Sequence, residues 1–324
     1  MIAPREYVSF VEREYLADYI RAGGSAVKFA VADDDAWVSD LRSGLRRAAE
    51  QAGYTYVAVD AATVKAHMID KVFHEAARQI DWRRGARAYA ARALDELGFG
   101  PIDEDGPIDL DRIAAAHDYR PAELRRDFNQ KLQQEILDDV ELAHEFRIAM
   151  LRVCAAEVES DAHAEAERDA VLQWLTGELR LMSALKTAMI FQRIARHNAR
   201  DMLASLTRWL ARTGQGGLVL ELDIRRCSLQ RRTVEEGILY SKATAIDVYE
   251  VLRQLIDSTD ELSHCFVLVI ASPETLVDPK RGIEQHYQAL KERIWNEVHD
   301  RMRDNPLAAL VRISPAGEEQ TDGR

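Results

Sequence analysis

Apolar and polar residues follow two rhythms along this chain, and the change from one to the other divides it into three stretches. Over 5–21, Tyr7, Val8, Val11, Tyr15, Leu16, Tyr19 and Ile20 recur at three- and four-residue steps. That spacing marks one face of an amphipathic helix, and Gly23 with Gly24 supplies its stop. The pattern then predicts a strand over 26–31, a helix over 36–51 closed by Gly53, and a second strand over 54–59 ending at Asp60. From 63 to about 213 the rhythm is helical: alanine and charged residues dominate, and breaks fall at 98–107, Pro121, near Ser160 and at Gly177. One long helix is predicted over 181–212, carrying Leu185, Met189, Ile194, Met202, Leu206, Trp209 and Leu210. Strand character returns at 218–223, 265–271 and 309–313, separated by helices over about 238–262 and 282–303.

The unbroken apolar runs at 218–222 and 266–270 suit strands of a parallel sheet buried on both faces. The expected fold is therefore α/β, with a large all-helical insertion between strands 2 and 3. The expected division is 1–62 for the first half of the core, 63–213 for the insertion, 214–315 for the second half and 316–324 for a frayed tail.

Composition narrows the classes. The 324 residues, 47% of them hydrophobic, suffice for one large domain or two ordinary ones. No apolar run is long enough to span a membrane, and 1–14 lacks an apolar signal core, so a cytoplasmic location is expected. A net charge of −12 argues against general affinity for nucleic acid. Arg78, Arg83, Arg84, Arg87 and Arg92 nevertheless form a local basic stripe, which keeps a DNA-binding module as one alternative. Cys154, Cys227 and Cys265 form no CxxC and read as buried thiols. Neither H-E-x-x-H nor G-x-S-x-G occurs, so no metal site and no hydrolase elbow are expected.

The connection after the first strand lies where a phosphate-binding loop belongs. Laying G-x-x-x-x-G-K-[ST] over 32–39 puts Ala32 at the first Gly, Trp37 at the second and Val38 at the Lys; only Ser39 fits. The glycines that let backbone amides close round a phosphate, and the cation that neutralises it, are absent. Asp33, Asp34 and Asp35 instead put three negative charges where an anion would lie, which should repel a triphosphate. These residues also suit a plain turn and helix N-cap. In the strand 218–223, Asp223 matches the carboxylate that serves Mg²⁺ in nucleoside triphosphatases, but Ile224 stands where their catalytic Glu would be and cannot orient water. Glu221 points to the face opposite Ile224.

Several segments carry a family resemblance: 14–29 (EYLADYIRAGGSAVKF), 171–178 (VLQWLTGE), 217–223 (GLVLELD), 271–282 (ASPETLVDPKRG) and 287–293 (YQALKER). With these the chain resembles, over about 5–315, the ATP-binding proteins of BREX-type bacterial phage-defence systems, of the AAA+ P-loop class. The resemblance implies an AAA+-like core whose loop glycines, lysine and catalytic Glu are missing, with a short or absent C-terminal lid. It implies a non-catalytic, pseudo-ATPase subunit that pairs with an active ATPase paralogue, a helicase or another defence component. Any DNA contact would be indirect, and no cofactor is expected. Arg293, with Arg281, is the candidate for an arginine presented in trans to a partner's ATP; the plainer reading is a surface ion pair, for example with Glu297. The other alternative is a working ATPase with an unconventional loop, taking ATP and Mg²⁺ through Ser39, Asp223 and Glu221.

Overall fold

The computed structural model describes residues 1–103, 106–158, 162–228, 237–295 and 305–314. Five strands form one parallel sheet in the order β2-β3-β4-β1-β5: β1 Ser25–Val31, β2 Thr55–Asp60, β3 Leu218–Asp223, β4 Cys265–Ala271 and β5 Leu310–Arg312. Every residue of β3 and β4 is buried, as expected of central parallel strands covered on both faces. On one face Val219, Phe266, Leu268 and Ile270 meet Tyr7, Val11, Leu41 and Leu45 of two helices, α1 Pro4–Val11 and α2 Asp35–Gln51. Each such side chain contributes about 1.5–3 kcal/mol by leaving water. Helix α1 starts on a proline, whose missing N–H costs nothing in a first turn. It runs on as a π turn over Glu12–Leu16, so the amphipathic face predicted for 5–21 is kept with a wider last turn. The turn before β3 requires Gly217, at φ +123°, because a Cβ there would collide with the His264 carbonyl.

The chain divides into two compact units, Met1–Val72 with Gln215–Arg324, and Phe73–Gly214. Residues 63–72, assigned on sequence to the insertion, thus belong to the first unit. The cause is local: Tyr240 Oη donates to Val64 O at 2.7 Å and accepts from Ala66 N at 3.0 Å, while Ala61 N donates to Asp223 O at 2.9 Å.

Among the described residues between β2 and β3 every regular element is helical. The main ones are α3 Ile69–Arg78, α4 Trp82–Leu94, α5 Leu110–Ala116, α6 Pro121–Leu132, α7 His144–Ala156, α8 Ala162–Thr176 and α9 Ala199–Arg212. In the second unit Trp209 stacks on Tyr89 with ring centroids 5.1 Å apart, and Trp82 packs against Phe146. The single long helix expected over 181–212 is not formed. Only a 3₁₀ turn, Met182–Leu185, precedes α9, and Met189 takes a left-handed φ of +64°. The buried positions there, Leu185, Ala188, Ile190 and Ile194, step by three, two and four, which no single helix face can satisfy.

After β3 come α10 Lys242–Asp257, α11 Pro273–Val277, α12 Ile283–His286 and α13 Gln288–Ile294. The one helix expected over 282–303 is thus two short ones as far as Trp295. Its remainder, Glu297 and the tail 316–324 lie outside the described residues.

Candidate functional site

The chain leaves β1 for β2 on one side of the sheet and leaves β4 for β5 on the other, so its direction changes between β1 and β4. In parallel sheets the carboxyl ends at such a point form the usual crevice for a ligand. A cleft of about 530 Å³ opens beside it, at the carboxyl ends of β1 and β5 against α11, lined by Val31, Asp33, Trp37, Leu276, Arg312 and Ile313 among others.

The connection from β1 to α2 is only three residues, 32–34. Ala32 is buried and gives its N–H to Ala271 O at 3.1 Å. Asp34 is the N-cap of α2, its Oδ1 accepting from Ala36 N at 2.6 Å. Trp37, Val38 and Ser39 therefore already lie in the helix. Val38 points into the core at 1% exposure, Ser39 stays exposed, and half-buried Trp37 lines the cleft and packs on the core rather than filling the turn. Of the aspartates only Asp34 caps; Asp33 is exposed at the cleft rim and Asp35 is turned to an arginine.

That arginine is Arg225, on the 3₁₀ turn Arg225–Ser228 that follows β3. Its Nε and Nη2 donate to Asp223 at 3.1 and 2.8 Å, and its Nη1 donates to Asp35 Oδ1 at 2.5 Å. Arg42, two turns into α2, completes the set: Nε donates to Glu221 Oε1 at 2.6 Å and Nη2 to Asp223 Oδ2 at 3.0 Å. Glu221 is fully buried and also accepts from Tyr56 Oη, while Arg46 lies 4.9 Å over the Tyr56 ring. Glu221 and Asp223, two apart in a strand, thus share the α2 face, whereas Ile224 is buried beyond the strand end with its N–H on Ile270 O.

The electrostatics follow from this packing. Burial works against the charged form of Arg225, but the bonds and charges of Asp223 and Asp35 outweigh it, and its pKa is raised. Arg42 is raised in the same balance, burial opposing and Glu221 with Asp223 prevailing. Burial first, then the Glu221 charge, raises the Tyr56 phenol, which stays protonated as a donor. Both guanidiniums are thus engaged by carboxylates of the chain itself. Among the described residues no cluster of three His, Cys, Asp or Glu side chains is arranged to hold a metal ion, and no helix is long and apolar enough to cross a membrane.

Sequence reasoning picked out Asp223, Ile224 and the aspartates but missed Arg42, Tyr56 and Arg225. The signal for Arg225 was present as Asp-x-Arg across a strand end. Arg42 and Arg46, four apart on α2, mark a helix stripe facing the sheet edge.

The other arginines are placed as follows. Arg293 donates to Asp257 at 2.5 and 3.0 Å and to Ala289 O at 2.6 Å, so its ion-pair partner is Asp257. Arg281 donates to the carbonyls of Tyr240 and Cys227 at 2.9 and 3.4 Å. In the stripe considered for DNA, Arg78 pairs with Glu75, Arg83 and Arg87 converge on the buried side chain of Glu157, and Arg92 pairs with Glu96 and covers the Tyr89 ring. The three cysteines are free and buried.

The molecule is an α/β parallel-sheet protein whose β3 carboxylates are neutralised from within. Residues 18–321 match the family described as BREX system ATP-binding protein BrxC/D, and the chain belongs to that family. No curated protein and no solved structure matches it.

Proposed function

We propose that this chain is a non-catalytic, pseudo-ATPase subunit of a BREX phage-defence assembly, built on an AAA+-like P-loop core. Family membership supports the defence setting. The strand–connection–helix at β1 and α2, with a second acidic strand end at Asp223, supports the core reading. The observation that carries the loss of catalysis is Arg225. Its guanidinium occupies the Asp223 carboxylate that would serve Mg²⁺ and ties it to Asp35.

A triphosphate approaching this end of the sheet meets Asp33, Asp34 and Asp35, and among the described residues the only cationic side chain lining the cleft beside them is Arg312 of β5, not a lysine of the loop. Val38 has no charge to offer in place of the lysine, and Ile224 cannot orient water. ATP and Mg²⁺ do not fit these residues, so no catalytic step is assigned to them. The proposed role is to pair with an active ATPase paralogue, a helicase or another component of the system.

The test is phosphate release by the purified chain, alone and combined with its co-purifying partners. No turnover alone, with turnover by a partner, is the expected pattern; turnover by the isolated chain that is lost in Asp223→Ala contradicts the proposal. Arg293 can act in trans only by leaving Asp257. Arg293→Ala is expected to leave the partner's turnover unchanged, and a fall would assign it as the arginine finger.

A further inference from the structure

From Leu179 to Arg200 the sequence contains no Asp or Glu but carries Arg180, Lys186, Arg193, Arg196 and Arg200, in a chain of net charge −12. This is the irregular stretch that replaces the expected helix. It is nevertheless pinned. Arg193 donates to Leu179 O and Arg180 O at 3.3 and 2.8 Å, which lays 191–193 alongside 179–181. Asn198 donates to Arg193 O and accepts from Ala195 N, and Trp174 Nε1 donates to Gln192 O at 2.9 Å. The surface so fixed exposes large apolar side chains: Leu181 at 69%, Met189 at 56% and Phe191 at 65%. Unlike Arg83, Arg87 and Arg92 of α4, Arg180, Lys186, Arg196 and Arg200 have no carboxylate in ion-pair range among the described residues. Exposed apolar groups ringed by unpaired cations mark a docking surface.

The same unit carries a complementary feature. After Leu137 the chain turns through Asp138, Asp139, Val140 and Glu141, with Asp139 Oδ1 accepting from Glu141 N at 3.0 Å. Val140 at the tip is 87% exposed, the most exposed large apolar side chain among the described residues. Arg212 holds Asp139 and also reaches exposed Glu141 at 3.8 Å, and exposed Asp138 flanks the valine on its other side.

We infer that the acidic, valine-tipped turn 138–141 of one copy docks on the basic apolar surface 179–200 of a second copy. Both the apolar anchors and the charge signs match. Stacking of nucleic-acid bases would use Phe191 but would leave Leu181 and Met189 unexplained, since neither has a π face. The contact is between different surfaces of identical chains, so it closes either as a two-fold pair with two such contacts or as a head-to-tail assembly. It lies in the helical unit and needs neither nucleotide nor a particular state of the β3 carboxylates.

Sedimentation velocity on the full chain, over rising concentration and at low and high salt, tests this. Reversible association weakened by salt is expected. Val140→Asp and Phe191→Asp should each weaken it by at least about tenfold, because a charge then replaces an interface anchor. Each variant keeps one surface intact, so an equimolar mixture of the two should associate where neither does alone. That recovery also shows both variants to be folded. A wild-type chain that stays monomeric up to about 100 µM, association indifferent to both substitutions, or no recovery on mixing would overturn the inference. So would salt-dependent retention of a labelled single-stranded oligonucleotide by a monomeric chain, lost on Phe191→Asp.

Discussion

Arg225 decides the character of the strand-end site, because its two carboxylate partners differ so sharply in setting. Asp223 is 5% exposed and Asp35 is 95% exposed. An exposed pair is worth little, whereas an acid left buried without its full set of partners is costly. Asp35→Ala should therefore cost less than about 1 kcal/mol in urea unfolding. Arg225→Ala should cost roughly 2 kcal/mol, softened because Arg42 still reaches Asp223. Equal losses in the two variants would show that the ion pairs are not organised as described.

Lys28 gives the residue scale its pH signature. It lies in β1, is 8% exposed, and donates to the carbonyls of Leu307 and Ala308 at 2.7 and 3.2 Å, with its ammonium 5.1 Å from the Tyr15 ring centroid. Burial lowers its pKa from 10.5 to about 8. Between those values the unfolded chain still binds the proton that the folded chain has released, so this group's contribution to stability rises with pH. The stability of wild type relative to Lys28→Met should climb by up to roughly 3 kcal/mol from pH 8 to pH 10.5. A difference that is flat or falling across that window would contradict the assignment.

At the scale of elements, the apolar runs of β3 and β4 announced two-sided burial, and Gly23 with Gly24 announced the stop before β1; these features were legible because they depend on neighbours in sequence. Gly217 can be tested directly: Gly217→Ala should cost about 3 kcal/mol, since a left-handed backbone and a collision with the His264 carbonyl coincide there. A thermal melt unchanged from wild type would mean that the turn before β3 is not held as described. The stretch before α9 was not legible. Its apolar residues sit at nearly helical spacing, but bonds from Arg193, Asn198 and Trp174 to its backbone carbonyls fix another path, and those partners cannot be chosen from sequence alone. The strand-end site was half legible for the same reason. Motif spacing located Asp223 and Ile224, whereas Arg42 meets Glu221 only because β1, β3 and α2 are brought together by the sheet order.

For the whole molecule, membership of the BrxC/D family and the internal pairing of the β3 carboxylates are the two observations behind the proposal of an ATPase-like scaffold without its phosphate chemistry. A three-residue connection between β1 and α2 leaves little room for amides to wrap a phosphate, and Arg225 and Arg42 are already bound to carboxylates. Isothermal titration of the purified chain with ATP and Mg²⁺ tests this most directly. The account predicts no saturable heat; a saturable, Mg²⁺-dependent isotherm that disappears in Asp223→Ala would contradict it.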